Sequence, residues 1–272
     1  MANNTHSTLP AAIVAHWKRI LLVILGLGTV TAAIYYLGFV QLYKSDYAHT
    51  LQGVNRMTTS YNDLLTARDA AISSLGKEDR VFGSAVEKYR KQYESYLEAD
   101  ASVKDNRALR DSSVRTAYDA LEKRNATFAT FISGQLALLP LTQGVTIGCT
   151  ESTPSKLNTS DLSKVVEVYD AAFGACANAM KSLAKSDDTV AAKRASDNVA
   201  YFDAMRAHAE AMQTAYIAGS RSTFESEYNA LLESLAQYKT HIQVRDLLDI
   251  KKDVVPSSEL NALATVLSQR QK

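Results

Sequence analysis

The sequence predicts an all-α protein in which a single amino-terminal transmembrane helix continues into an elongated antiparallel helical-bundle ectodomain. Three observations lead there. From Ile20 to Val40 the chain reads ILLVILGLGTVTAAIYYLGFV, 21 residues without a charge. A helix rising about 1.5 Å per residue crosses a bilayer core of roughly 30 Å with about 20 such residues. Beyond residue 43, apolar residues recur three and four apart with Ala, Leu, Glu, Lys and Gln between them, the period of a helix with one buried face. Runs alternating Val, Ile and Thr, the mark of strands, are scarce.

Trp17 before the apolar run and Tyr35, Tyr36 and Tyr43 near its far end suit the membrane interface. The competing reading is a cleaved secretory signal, which Lys18 and Arg19 would also suit, but the run exceeds a usual h-region of roughly 7–15 residues. Length favours an uncleaved anchor. Lys18 and Arg19 set against the more distant Lys44 and Arg56 place the amino terminus in the cytoplasm and the carboxy-terminal domain outside it. The chain divides into a short cytoplasmic segment, 1–19, a signal anchor, 20–43, a helical-bundle ectodomain, 44–256, with a long loop at 140–158, and a short amphipathic helix, 257–272.

The anchor is expected to run on unbroken through the stripe Tyr47, Leu51, Val54, Thr58, Tyr61, Leu65, Ile72 and Leu75, with Arg68 as its polar exception, and to stop near Gly76. The next helix is read from Ser84-Ala85-Val86-Glu87, which has capping-box spacing. It carries Val86, Tyr89, Tyr93 and Tyr96. A third helix runs from about Lys104 to Leu139, bearing Val114, Tyr118, Leu121, Asn125, Phe128 and Ile132, and Pro140 is expected to close it.

A fourth helix opens at Asp161. Leu162, Val165, Tyr169, Ala172, Cys176, Ala179 and Leu183 repeat at 3-4-3-4-3-4, a seam of the coiled-coil kind. A fifth spans about Asp188 to Ala218 and ends at Gly219. The sixth is read from Ser222-Thr223-Phe224-Glu225, with Phe224, Tyr228, Leu231, Leu235, Tyr238 and Ile242 on one side. The last follows Pro256. No internal repeat is evident. A single composite domain is favoured over a split at the loop, because either half alone has few helices to cover its stripes.

The stretch Leu139 to Ser160 concentrates two of the four prolines, two of the eleven glycines and one of two cysteines. Outside the cytoplasm, Cys149 and Cys176 are expected to form a disulfide. Closing a loop of 28 residues would stabilise the fold by about 3.5 kcal/mol. The plainer alternative is a buried thiol at 176 and a free one at 149. Of three N-x-[ST] sequons, Asn3 falls on the cytoplasmic side and Asn125 on a buried stripe, which leaves Asn158 as the plausible acceptor.

No catalytic, cofactor-binding or metal-ligating constellation emerges. The five histidines are dispersed, and no H-E-x-x-H, phosphate-binding glycine loop or G-x-S-x-G occurs. A formal charge of +1 with no basic stripe argues against nucleic acid. Fourteen tyrosines against seven phenylalanines point to Tyr89, Tyr93 and Tyr96 as a partner-binding face, or else as core whose hydroxyls reach the rim.

These readings lead to a membrane-anchored, non-enzymatic interaction or scaffold protein, a candidate part of a cell-envelope assembly. Its partners are the lipid bilayer through the amino-terminal helix and a protein partner or second copy, met at the bundle face, the loop or the last helix. No cofactor is implied. The alternative is a sensory or ligand-binding ectodomain that signals through a separate subunit, although nothing in the sequence marks a small-molecule site. An enzyme is the least supported class.

Overall fold

The structure, a computed structural model, describes residues 27–33, 35–36, 41–150, 152, 161–251 and 253–272. Its described residues are helical, with no strand among them. The helices are α1 (Lys44–Ser73), α2 (Asp79–Lys104), α3 (Ser112–Thr150), α4 (Val165–Leu183), α5 (Thr189–Ile217), α6 (Arg221–His241) and α7 (Ser257–Gln271). Single 3₁₀ turns at Arg107–Arg110, Leu162–Lys164 and Arg245–Leu248 link them.

The 39-residue α3 is the spine, about 58 Å long at 1.5 Å per residue. Helices α2 and α7 pack on α1, and α4 and α6 on α5, and α3 joins the two groups, meeting α4 and α7 most closely. In the first group, Tyr61, Tyr96 and Phe128 form one aromatic knot with ring centroids 5.6–6.3 Å apart. In the second, Phe173 lies 5.1 Å from Tyr169 and 5.3 Å from Tyr238. The fourth-helix seam is buried as its spacing predicts, with Val165, Tyr169, Ala172, Cys176 and Leu183 all inside.

Several boundaries follow local chemistry. Gly76 (φ 80) and Gly219 (φ 67) end α1 and α5 in the left-handed region that glycine tolerates. Asp188 caps α5, its carboxylate accepting from the amides of Val190 and Ala191.

Other expectations are corrected. Most of the predicted membrane span, residues 20–40, lies outside the described residues, and no helix among those described is long and apolar enough to cross a membrane. The bundle does not continue unbroken from that span, because Gln41 to Tyr43 are not helical. Asp46 Oδ2 accepts the Tyr43 amide at 2.8 Å and so offers a ready helix start at Lys44. Helix α2 begins at Asp79, one turn before the predicted Ser84 cap, since Phe82 is buried and extends the stripe backwards. Helix α6 is capped at Ser220, not Ser222.

The largest correction concerns Pro140, which does not end its helix: residues 140–150 of the predicted loop 140–158 are helical, and 151 and 153–158 lie outside the described residues. Pro140 sits on an exposed side of α3, which runs on to Thr150. Leu138 and Leu139 before it and Thr142, Gln143, Val145, Gly148 and Cys149 after it are buried, and that packing outweighs one lost backbone hydrogen bond.

The last helix is not a separate appendage to residues 44–256. Leu260, Leu263 and Leu267 of α7 are buried against α1 and α3. Arg124 of α3 bonds Glu259 at 3.0 Å, and Lys44 Nζ donates to the Lys272 carbonyl at 2.8 Å. The carboxy-terminal end of α7 therefore lies beside the amino-terminal end of α1. Asp111 joins the same base, accepting from Tyr47 at 3.0 Å and pairing with Arg270 at 3.0 Å.

Candidate functional site

The predicted tyrosine face is core. Tyr89 and Tyr96 are 0% and 1% exposed, and Tyr93 is half-buried with its hydroxyl 3.3 Å from the Ala129 carbonyl it donates to. The reason is α3, which covers the stripe and offers acceptors to the hydroxyls. Tyr96 donates to Asn125 Oδ1 at 2.7 Å, and Asn125 Nδ2 donates to Asp100 at 2.9 Å. Asn125 is thereby spent inside the bundle. Burial raises the Asp100 carboxyl, with Glu122 adding to it, against the Asn125 hydrogen bond.

Tyr89 belongs to a larger buried network. Gln135 Oε1 accepts from Tyr89 at 3.0 Å and from Arg68 Nε at 2.9 Å. Its Nε2 donates to the Leu248 carbonyl, which also accepts from Arg68. Arg68 meets Asp69 at 2.8 Å at the surface edge. Four segments distant in sequence thus converge where the connector from α6 to α7 crosses the bundle. The sequence showed Arg68 as a polar break in an apolar stripe; Gln135 and the Leu248 carbonyl carried no comparable signal.

Above this network, α3 is tied to α4 by the disulfide joining Cys149 to Cys176. The helices touch there: a Cβ at Gly148 would lie 2.9 Å from the Ala175 carbonyl oxygen, so glycine permits the approach. Tyr238 of α6 donates to the carbonyls of Cys149 and Ser152, both at 3.1 Å. The disulfide therefore fastens the end of a helix. Asn158 lies outside the described residues.

Beyond the disulfide, the α5–α6 turn carries an uncovered apolar patch. Tyr216 is 50% exposed, Ile217 69%, Tyr228 45% and Leu232 45%. Phe224 stands between the tyrosines, 6.4 Å from Tyr216 and stacked 6.2 Å from Tyr228. A groove of about 350 Å³ runs between Leu162, Tyr216 and Phe224. Because α4 runs back along α3, its start lies about 16 Å farther out than Cys176. The patch is therefore at the end of the molecule opposite Lys44. The sixth-helix stripe was expected to bury; Leu231 and Tyr238 do, while Tyr228 does not, since α6 leans chiefly on α5.

Two histidines, His208 and His241, join neighbouring helices. His208 meets Glu227 at 2.7 Å between α5 and α6, and His241 stacks on Tyr201 at 3.8 Å. No group of three or more metal-ligating side chains occurs among the described residues. Comparison of the chain with protein-family models, with curated proteins and with solved structures found no match.

Proposed function

We propose that this is a membrane-anchored, non-enzymatic interaction protein that holds its far end out to a partner protein. The observation that carries the reading is the apolar patch of Tyr216, Ile217, Phe224, Tyr228 and Leu232 at the end opposite the start of α1. Tyrosine-rich, charge-poor patches of this kind make the centres of protein interfaces. A charged pair at its edge, Arg221 with Glu225 at 2.8 Å, is already neutralised. The patch therefore suits a partner with an apolar helical face.

The anchor draws on the uncharged run Ile20 to Val40 and on Leu27, Val30, Tyr35 and Tyr36, whose side chains are exposed apolar surface. The disulfide suits an oxidising compartment, in accord with a cytoplasmic amino terminus and an extracytoplasmic bundle.

Site-specific photocrosslinking tests the reading. With the full chain in its membrane, a photoreactive residue at Tyr228 should give one protein adduct that is lost when Phe224 is changed to Ser. A probe at Lys123, on α3, should not give it. An adduct at twice the 29.7 kDa chain mass would identify a second copy as the occupant. Equal adducts from both positions would overturn the reading.

A further inference from the structure

Where the middle of α3 meets the α4–α5 turn and the connector lies a cavity of about 540 Å³, within the roughly 300–1,000 Å³ usual for small-molecule sites. Phe131, Leu138 and Leu141 of α3 and Leu247 of the connector give it an apolar floor, and Lys185 and Asp187 of the α4–α5 turn stand on its rim. The state of its polar groups decides what it can hold.

On the floor, Gln135 is 3% exposed and turned into its own network. Its oxygen accepts from Arg68 and Tyr89 and its nitrogen donates to Leu248. The Thr130 hydroxyl donates to the Ala126 carbonyl at 3.0 Å. On the rim, Asp188 Oδ1 accepts from the amides of Val190 and Ala191 while its Oδ2 faces outward, and the Ser186 hydroxyl donates to the Asp188 carbonyl at 3.3 Å. Lys185 and Asp187 remain, exposed and without a side-chain partner among the described residues. A ligand must therefore be apolar where it meets the floor, because a polar atom there would be desolvated without a partner. At the rim it meets one cation, Lys185, and the adjacent anions Asp187 and Asp188.

We propose that this cavity binds a small zwitterion with an apolar body, an apolar α-amino acid being the simplest case. The carboxylate would face Lys185, the ammonium Asp187, and the side chain the leucines and Phe131. The proposal is independent of the partner-binding patch. It gives the ligand-binding alternative a location and a ligand class.

The probe is L-phenylalanine, titrated calorimetrically into the full chain held in lipid nanodiscs. Saturable one-site binding is expected. Phenethylamine and 3-phenylpropionate, each lacking one charge, should bind about tenfold more weakly, and glycine, lacking the body, should not bind detectably. Gly134 borders the cavity with nothing within 4 Å of an added Cβ. Gly134→Leu should therefore fill the space and abolish binding while leaving the unfolding temperature equal or higher, and K185Q should weaken binding of L-phenylalanine but not of phenethylamine. Absence of binding by the native chain, or undiminished binding by the folded Gly134→Leu protein, would overturn the proposal. Crosslinking at Tyr228 should be unaltered by Gly134→Leu, so failure at one site is distinguishable from failure at the other.

Discussion

Along the first half of α3, α1 is flanked by α2 and by the returning α7, and its large apolar residues are closed in. Along the second half, α6 is an outer helix that leaves Tyr228 and Leu232 in solvent. The two regions also differ in what crosslinks them. The first is joined through buried hydrogen bonds centred on Gln135, the second through a covalent bond from Cys149 to Cys176. The group whose central helix is flanked on both sides holds a polar centre, whereas the group with an open outer helix has less burial to hold it and uses a staple. Where apolar surface stays open despite that staple, a partner is the natural account.

Among the features that distinguish the two groups, the largest effect should come from the staple. Replacing both cysteines with alanine removes a crosslink between residues 27 apart in sequence and should lower stability by about 3.5 kcal/mol, read as a drop in the urea midpoint. Hydrogen exchange should accelerate in α4 to α6 and remain slow in α1 and α2. Uniform acceleration would show that the two groups unfold as one unit and would remove the distinction drawn between them.

Next in size is the polar centre. Gln135→Leu keeps nearly the same volume but leaves Arg68 Nε and the Tyr89 hydroxyl without their acceptor, a cost of about 3 kcal/mol. Arg68→Met should cost less, about 1 kcal/mol, because the Leu248 carbonyl keeps the Gln135 amide and the ion-pair partner, Asp69, is largely exposed and finds water. Denaturant midpoints of the two variants check the ranking. The reverse order would make Arg68 the centre of the network.

How much of this was legible depends on whether the cause is local. Gly76, Asp188 and Gly219 mark helix ends through backbone conformation and capping, which a few adjacent residues decide, and the structure places helix ends there. The seam through Cys176 is legible because it is buried over nearly its whole length. Pro140 misleads because its local effect is outweighed by burial on either side of it, which depends on α4 and α6. The spacing of Tyr228 is the same as that of Leu231, yet one is exposed and the other buried. Periodicity says that a face is apolar; the number of neighbouring helices decides whether it is covered. Gln135 was unreadable for a similar reason, since its partners lie on α1, α2 and a distant connector.

A smaller effect, but one with a sign, separates the groups by pH. Asp100 lies in the first, and burial raises its carboxyl above the ordinary 3.8. A raised folded-state pKa means that the folded chain holds this proton more tightly than the unfolded one. The stabilisation is full below 3.8 and is lost as pH rises through the folded value. Asp100→Asn does not titrate, so its unfolding temperature relative to the native chain should climb as pH rises above 3.8. A constant difference would mean that Asp100 is solvated like a surface carboxylate.

The least effect on stability is expected at the open patch, and that smallness is what tests its purpose. Tyr228→Ser and Leu232→Ser remove side chains that are 45% exposed, and each should change stability by no more than about 0.5 kcal/mol. If the patch merely completes the packing of α6 on α5, thermal melts will fall as they would for a core substitution, and adducts from a crosslinker at Tyr216 will be unchanged. If it is kept open for a partner, the melts will hold while those adducts disappear. Stability and contact should therefore come apart at Tyr228 and Leu232, whereas at a covered position such as Phe173, whose replacement by Ala should cost about 3–5 kcal/mol, they should fall together.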